Sequence, residues 1–146
     1  MVSIMNAVIA YHTYSGNTQE IAELIEFELI KHIKNVSMHR IGIDSPVRLH
    51  EDDILFLGTF TWDYGKVPDE VKDFIAELGY KPHRVAVFGS GDTQFGGEEL
   101  FCKAVDKLSN FYDSRAGSLK IEQSPRGMQE KSIINWTKEV LNQWRS

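Results

Sequence analysis

Short apolar runs that alternate with helical patterns constrain the fold of this chain more than any other feature of its sequence. The runs are rich in β-branched or aromatic residues and lie at Ala7–Tyr11, Val36–Ile41, Ile54–Thr59, Val85–Gly89 and, more weakly, Ser118–Ile121. Several are apolar without alternation, which is typical of strands buried on both faces. Strands that alternate with helices form βαβ units, so the sequence predicts an α/β protein whose parallel sheet carries helices on both faces.

Apolar residues at helical spacing separate the predicted strands. The four stripes are Ile21, Leu24, Ile25 and Leu29; Val71, Phe74, Ile75 and Leu78; Leu100, Phe101, Ala104, Val105 and Leu108; and Ile133, Ile134, Thr137, Val140, Leu141 and Trp144. With 146 residues and no dividing linker, we expect a single domain over residues 1–146. Doubly wound sheets bind ligands beyond the carboxyl ends of their strands, so the loops after each strand are the candidate site.

Charge and cysteine content narrow the classes of function. The formal net charge is −5, and residues 44–106 contain 13 acidic and 6 basic residues. Such a segment disfavours nucleic-acid binding and suits a basic protein partner. Cys102 is the only cysteine, which excludes an intrachain disulfide and fits a reducing, cytoplasmic setting. No apolar run approaches the roughly 20 residues that span a bilayer, so we expect no membrane association.

The loop after the first predicted strand has the composition of a phosphate-binding turn. It reads Thr13-Tyr14-Ser15-Gly16-Asn17-Thr18, with a glycine for a tight turn, hydroxyl donors and the backbone amides of a helix start. It lacks the lysine of a Walker loop and the three glycines of a dinucleotide fingerprint, so a single terminal phosphate suits it better than NTP or NAD. The alternative is that Ser15 and Asn17 only cap the helix.

The loops after the third and fourth predicted strands contain exposed aromatic residues beside glycines. The second loop runs from Thr59 through Phe60, Thr61, Trp62, Asp63, Tyr64 and Gly65 to Pro68; the third runs from Gly89 through Ser90, Gly91, Asp92, Gln94 and Phe95 to Gly97. Loop aromatics that fold back on the core, or a flexible glycine-rich loop, are the alternative interpretations. Together the three loops predict one pocket in which two aromatic rings flank a flat, phosphate-bearing ligand such as flavin mononucleotide (FMN).

The order of these motifs resembles a short-chain flavodoxin over nearly the whole chain. The first loop is similar to the family's T-x-[ST]-G-N-T signature, and Thr61-Trp62 matches its isoalloxazine loop. Gly91 to Phe95, followed by the Phe101–Asp106 segment, resembles the third loop and its helix. The resemblance implies a flavodoxin-like doubly wound five-stranded parallel sheet of order 2-1-3-4-5, with helices on both faces.

The resemblance also implies a function and a set of site residues. It implies a low-potential, FMN-containing one-electron carrier that shuttles electrons from a flavodoxin/ferredoxin-NADP reductase-type donor to acceptor enzymes, as a monomer with a transient acidic-face contact. None would be catalytic, and the cofactor-binding residues would be Thr13, Tyr14, Ser15, Gly16, Asn17 and Thr18; Thr59, Phe60, Thr61, Trp62, Asp63, Tyr64 and Gly65; and Ser90, Gly91, Asp92, Gln94 and Phe95. Residues 11–18 contain no lysine or arginine, so the phosphate charge would remain to lower the second one-electron potential by roughly 60 mV.

Three positions depart from the family pattern. Phe95 stands where members usually have a tyrosine that stacks on the outer flavin face, and Asp63 stands where many have glycine. His12 precedes the phosphate loop, where it either couples redox behaviour to pH or is a structural histidine. We expect Cys102 to be a buried small hydrophobe, because it lies in an apolar helical stripe.

Rival functions share parts of this pattern. An FMN-dependent NAD(P)H:quinone-type reductase would have the same loops, and a flavodoxin-like activator of a manganese ribonucleotide reductase is a closer rival. A phosphoryl-receiver domain needs a cluster of acids after the first strand, where this chain has hydroxyls. A flavin-free binding module would have no use for both Trp62 and Phe95. The complete set of motifs therefore favours the electron carrier.

Overall fold

The structure is a computed structural model, and it describes residues 6–44, 49–50, 52–61, 66–79, 81–91, 102–114, 116–122 and 125–144. Within these residues, five strands and four helices alternate along the chain. The strands are β1 (Asn6–Tyr11), β2 (Asn35–Arg40), β3 (Ile54–Phe60), β4 (Arg84–Gly91) and β5 (Leu119–Glu122). The helices are α1 (Asn17–Leu29), α2 (Asp69–Leu78), α3 (Lys103–Phe111) and α4 (Met128–Trp144). Each predicted strand and helix is present, with ends that differ by a few residues. Leu100 and Phe101, which were predicted to begin the third helix, lie outside the described residues.

The strands form one parallel sheet in the order β2-β1-β3-β4-β5, which confirms the predicted topology. Val8 of β1 is in register with Ser37 on one side and Leu55 on the other. Because β1 has β2 and β3 as its two neighbours, the strand order reverses at β1. That reversal opens a crevice at the carboxyl end of β1, where doubly wound sheets bind their ligands.

Two hydrophobic layers enclose the sheet, since alternate residues of each central strand point to opposite faces. In β3, Phe56 packs into the layer under α1 and α4, whereas Leu55 packs into the layer under α2 and α3. All four residues from Ile54 to Leu57 are fully buried. A strand covered on both faces needs apolar residues at every position, which explains the unbroken apolar run in its sequence.

An aromatic ring that lies over β3 requires glycine at position 58. A Cβ atom there would overlap the ring of Phe88 on the neighbouring strand β4. The Phe88 ring in turn meets Trp136 of α4 at 6.3 Å between centroids in an edge-on geometry. Gly58 thus lets an aromatic cluster fill the layer beneath α4, and a larger residue would displace it.

Glu28 is a buried carboxylate in the last turn of α1. Its oxygens lie 2.8 Å from His32 Nε2 and 3.4 Å from Lys31 Nζ. Desolvation raises the pKa of Glu28, but hydrogen bonds and charge from His32 and Lys31 outweigh it, so the pKa is lowered from its usual value. The carboxylate therefore stays ionised at neutral pH and ties the end of α1 together.

No helix within the described ranges combines the length and the apolar character that a membrane span requires.

The buried hydroxyl of Tyr112, just after α3, gives a stability prediction. Within the described residues it has no hydrogen-bond partner, and burial raises its pKa to about 12. A buried, unpaired hydroxyl destabilises a fold, so Tyr112→Phe should raise the free energy of unfolding by about 1 kcal/mol. Tyr112→Leu, which also removes the ring, should lower it by about 2 kcal/mol through the cavity it leaves. Urea denaturation measures both changes, and a destabilised Phe variant would mean that the hydroxyl has a partner.

Candidate functional site

The three predicted loops begin at the carboxyl ends of strands that are adjacent in the sheet. The first connects β1 to α1 and is described throughout. The second follows β3; its Thr59, Phe60 and Thr61 are described, whereas Trp62, Asp63, Tyr64 and Gly65 lie outside the described residues. The third follows β4; its Ser90 and Gly91 end the strand, and Asp92, Gln94 and Phe95 also lie outside. Since β1, β3 and β4 are consecutive in the sheet, the described starts of the three loops lie next to one another.

The first loop turns into α1 through a left-handed glycine. Gly16 occupies the N-cap position with φ 95° and ψ −9°, and its amide donates a hydrogen bond to Thr13 Oγ1 at 2.9 Å. A Cβ atom at Gly16 would meet nothing within 4 Å, so the backbone conformation, not lack of space, requires glycine there. Gly16, rather than Ser15 or Asn17, is therefore the N-cap, and it has no side chain with which to cap the first turn.

A pair of buried hydroxyls joins the first loop to the third. Thr18 Oγ1 and Ser90 Oγ lie 2.8 Å apart, and both residues are buried. One hydrogen bond between two hydroxyls uses only one of their two hydrogens, so the pair retains a second donor. The contact ties the first turn of α1 to the end of β4 across 72 residues of sequence.

The second loop is attached to α3. Thr61 Oγ1 accepts a hydrogen bond from the Ala104 amide at 3.2 Å, and this amide belongs to the first turn of α3, whose donors have no partner within the helix. Thr59, which is fully buried, donates its hydroxyl to the Phe60 carbonyl at 2.9 Å. These two threonines hold the start of the loop that continues into Trp62.

Aromatic rings from the first and second loops form a cluster. The Phe60 ring stacks on His12 with centroids 5.1 Å apart, and it meets Tyr14 at 6.3 Å in a tilted geometry. Tyr14 is 81% exposed, so one side of this cluster faces solvent. The arrangement places aromatic rings, inclined to one another by 29° and 55°, close in sequence to the helix N-terminus at Gly16.

His12 is also linked to α2. Its Nε2 lies 3.4 Å from Glu70 Oε2, and its amide donates to the Gly58 carbonyl at 2.9 Å. These contacts give His12 neighbours on β3, α2 and the second loop. The sequence offered no signal for Glu70, because a partner 58 residues away is brought close only by the crossover from β3 into α2.

Cys102 is buried, as the sequence predicted, and it occupies the N-cap position of α3. Its φ of 51° places it in the left-handed region, which is unusual for a residue with a side chain. Burial raises the pKa of its thiol to about 12, so the thiol is protonated at neutral pH. Its left-handed conformation could not be read from the sequence, since no glycine or asparagine marks the position.

The chemistry of these donors fits an anionic group attached to a flat ring. A helix N-terminus without a capping side chain binds anions through its backbone amides, and the rings of His12, Tyr14 and Phe60 offer apolar surface near it. Among the described residues, no three His, Cys, Asp or Glu side chains are grouped so that they could hold a metal ion.

Comparisons with known proteins place the chain in one family. The flavodoxin family model matches residues 9–136. The probable flavodoxin 2 of Bacillus subtilis (strain 168) is 36% identical over 141 residues, which cover 90% of this chain and 91% of the relative. The oxidised flavodoxin 2 of Bacillus cereus is 30% identical with a TM-score of 0.76, over 94% of this chain and 99% of that one. A short-chain flavodoxin associated with a PDU bacterial microcompartment has a TM-score of 0.82 at 22% identity, over 97% and 99% of the two chains.

The fold thus defines an α/β protein with a doubly wound, five-stranded parallel sheet. The chain belongs to the flavodoxin family. Members of this family are electron-transfer proteins rather than enzymes, and this protein is accordingly a flavodoxin electron carrier with a flavin cofactor.

The Thr18–Ser90 contact yields a prediction on stability. Thr18→Val keeps the shape of the side chain but leaves the Ser90 hydroxyl buried without this partner, so it should lower the free energy of unfolding by about 1–2 kcal/mol. Ser90→Ala should have a similar effect. The double variant should cost clearly less than the sum of the two, as expected for residues in contact. Chemical denaturation of all four proteins provides the test, and strict additivity would contradict the contact.

Proposed function

We propose that this flavodoxin binds FMN at the three loops and acts as a low-potential one-electron carrier between a flavodoxin/ferredoxin-NADP reductase-type donor and redox acceptor enzymes. The observation that supports the cofactor is the left-handed turn at Gly16, which presents the uncapped start of α1 at the point where the strand order reverses. FMN is the usual flavin of the family, and its terminal phosphate is the kind of anion that such a helix start binds.

The proposal divides the site residues between two parts of the cofactor. The phosphate would be held by Thr13, Tyr14, Ser15, Gly16, Asn17 and Thr18. The ring would lie among Thr59, Phe60, Thr61, Trp62, Asp63, Tyr64 and Gly65 of the second loop and Ser90, Gly91, Asp92, Gln94 and Phe95 of the third. When bound, FMN supplies the one-electron redox chemistry, and the protein supplies binding, orientation and electrostatics.

The protein's own charges would favour the oxidised cofactor. Residues 11–18 contain no lysine or arginine, so dipoles and hydroxyls would hold the phosphate without neutralising it. The acidic side chains of α2, which include Glu70 beside His12, add negative charge near the first loop. Adding an electron next to these charges is unfavourable, which lowers the reduction potential.

We also propose that residues 1–146 form a single domain that works as a cytoplasmic monomer. The acidic first turn of α2, Asp69 and Glu70, supports a transient contact with basic redox partners. Membership of the flavodoxin family favours the carrier over an FMN-dependent NAD(P)H:quinone-type reductase and over an activator of ribonucleotide reductase.

Stepwise anaerobic reduction of the FMN-loaded protein, followed by visible spectra, tests the proposed carrier. We expect two separate one-electron steps, with the second at a potential tens of millivolts below that of free FMN. NAD(P)H alone should not reduce the protein. A single two-electron step driven by NAD(P)H would instead support the reductase, and the absence of FMN binding would overturn both functions.

The left-handed glycine of the first loop gives a second test with a matched control. Gly16→Ala forces a side chain into positive φ, and the resulting strain should weaken FMN binding to the apoprotein about tenfold. Gly79→Ala introduces the same strain at φ 73°, also in open space, but at the end of α2. Fluorescence titration with FMN should show a changed dissociation constant for the first variant only. Equal dissociation constants for both variants would argue against phosphate binding at Gly16.

A further inference from the structure

The outer face of α1 carries an exposed apolar patch. Phe27 is 53% exposed and Ile30 is 60% exposed, and the two lie one helical turn apart. Leu24, one turn before Phe27, is half-buried and also packs against the core. Lys31 Nζ lies 4.4 Å from the centroid of the Phe27 ring, so a positive charge borders the patch on one side. Exposed apolar side chains that neighbour one another within a polar rim mark interaction sites.

The helical path continues about one turn beyond the last residue of α1. The backbone amides of Ile30 and Ile33 donate to carbonyls four residues earlier, at 3.0 Å and 2.8 Å. This is the hydrogen-bond spacing of an α-helix. Lys31 and Lys34 therefore follow Phe27 at four and seven residues, on the same side of the helix.

The charges along this side of the helix are arranged symmetrically about Phe27, with opposite signs. Glu23 lies four residues before Phe27 and Lys31 four residues after it; Glu20 lies seven before and Lys34 seven after. All four charged residues are exposed. When such a helix packs antiparallel against a copy of itself, residues at equal distances before and after the centre come to face each other. Each glutamate then faces a lysine of the other copy.

We propose that α1 forms a reversible dimer contact with α1 of a second copy of this chain, antiparallel and centred on Phe27. The two Phe27 rings meet at the twofold axis, and Leu24 of each copy meets Ile30 of the other. The contact is self-complementary, because a twofold axis repeats every pair of facing residues. A different partner would have to supply both an apolar centre and charges in the reverse order, whereas a second copy supplies both.

The size of the contact sets its strength. One helix face of about four turns buries less than the roughly 1,200 Å² of total surface that stable complexes bury. The dimer therefore forms at high protein concentration and dissociates on dilution to the monomer proposed above as the working form. Phe27 lies about 16 Å along the helix from Gly16, so the centre of the contact is remote from the first loop. Dimerisation thus depends on neither FMN nor the proposed electron transfer.

Sedimentation velocity of the purified, FMN-loaded protein tests the dimer, over concentrations from micromolar to millimolar. We expect the mean mass to rise from 16.7 kDa towards twice that value. Added salt should weaken the association, because it screens the facing charges. A protein that stays monomeric over the whole range would overturn the inference. FMN content is measured on the same samples, so a dimer without FMN affinity would refute the proposed function alone.

A pair of phenylalanine variants locates the contact. Phe27→Gln removes the apolar centre from both copies and should weaken association at least about tenfold. Phe111→Gln changes another exposed phenylalanine, which lies on α3 at the opposite face of the sheet, and should leave association unchanged. Equal association constants for the two variants would contradict a contact through α1.

Charge reversal tests the antiparallel, twofold arrangement. Glu23→Lys alone makes lysines face each other, and Lys31→Glu alone makes carboxylates face each other, so each variant should stay monomeric. An equimolar mixture of the two should associate, because both opposite-charge pairs form again in the mixed dimer. Lys31 also contacts the buried Glu28; if its variant does not fold, Glu20→Lys and Lys34→Glu, which reverse the outer pair, replace the two. A mixture that stays monomeric, while the unaltered protein associates, would overturn the proposed arrangement.

Discussion

Burial of the central strands on both faces of the sheet is the constraint on which the remaining structure depends. β3 is covered by two hydrophobic layers, and its neighbours β1 and β4 share that burial. Burial of this kind is typical of parallel strands, because the crossover helices that join them cover both faces of the sheet. Their carboxyl ends then lie side by side, so the three loops begin next to one another.

The described part of the candidate site is held together by two hydrogen bonds and one ring stack between elements that the sheet has already aligned. Thr18 meets Ser90, Thr61 meets the first turn of α3, and Phe60 stacks on His12. Each contact joins two different loops or a loop to a helix. Such contacts reduce the freedom of the loops before a ligand binds, which is the preorganisation that tight cofactor binding requires.

The first loop and the neighbouring face of α2 differ in charge. The first loop contains hydroxyls and backbone amides but no basic side chain, whereas the neighbouring face of α2 contains Glu70, Asp73 and Glu77. Negative charge that is left without compensation opposes further reduction of a bound flavin and attracts a basic partner. The same acidic side chains can therefore lower the reduction potential of a bound flavin and favour a basic partner.

The sequence by itself determined the fold class, the strand positions and the candidate loops, because hydrophobic period and glycine placement are local properties. The apolar run at Ile54–Leu57 and the glycine at position 16 are both visible in the printed chain, and the structure shows the burial and the left-handed turn that each predicts. Only the tertiary structure decided which side chains meet. The Thr18–Ser90 pair and the approach of Glu70 to His12 join residues far apart in sequence. Such contacts depend on strand order and crossover geometry, which no local pattern encodes.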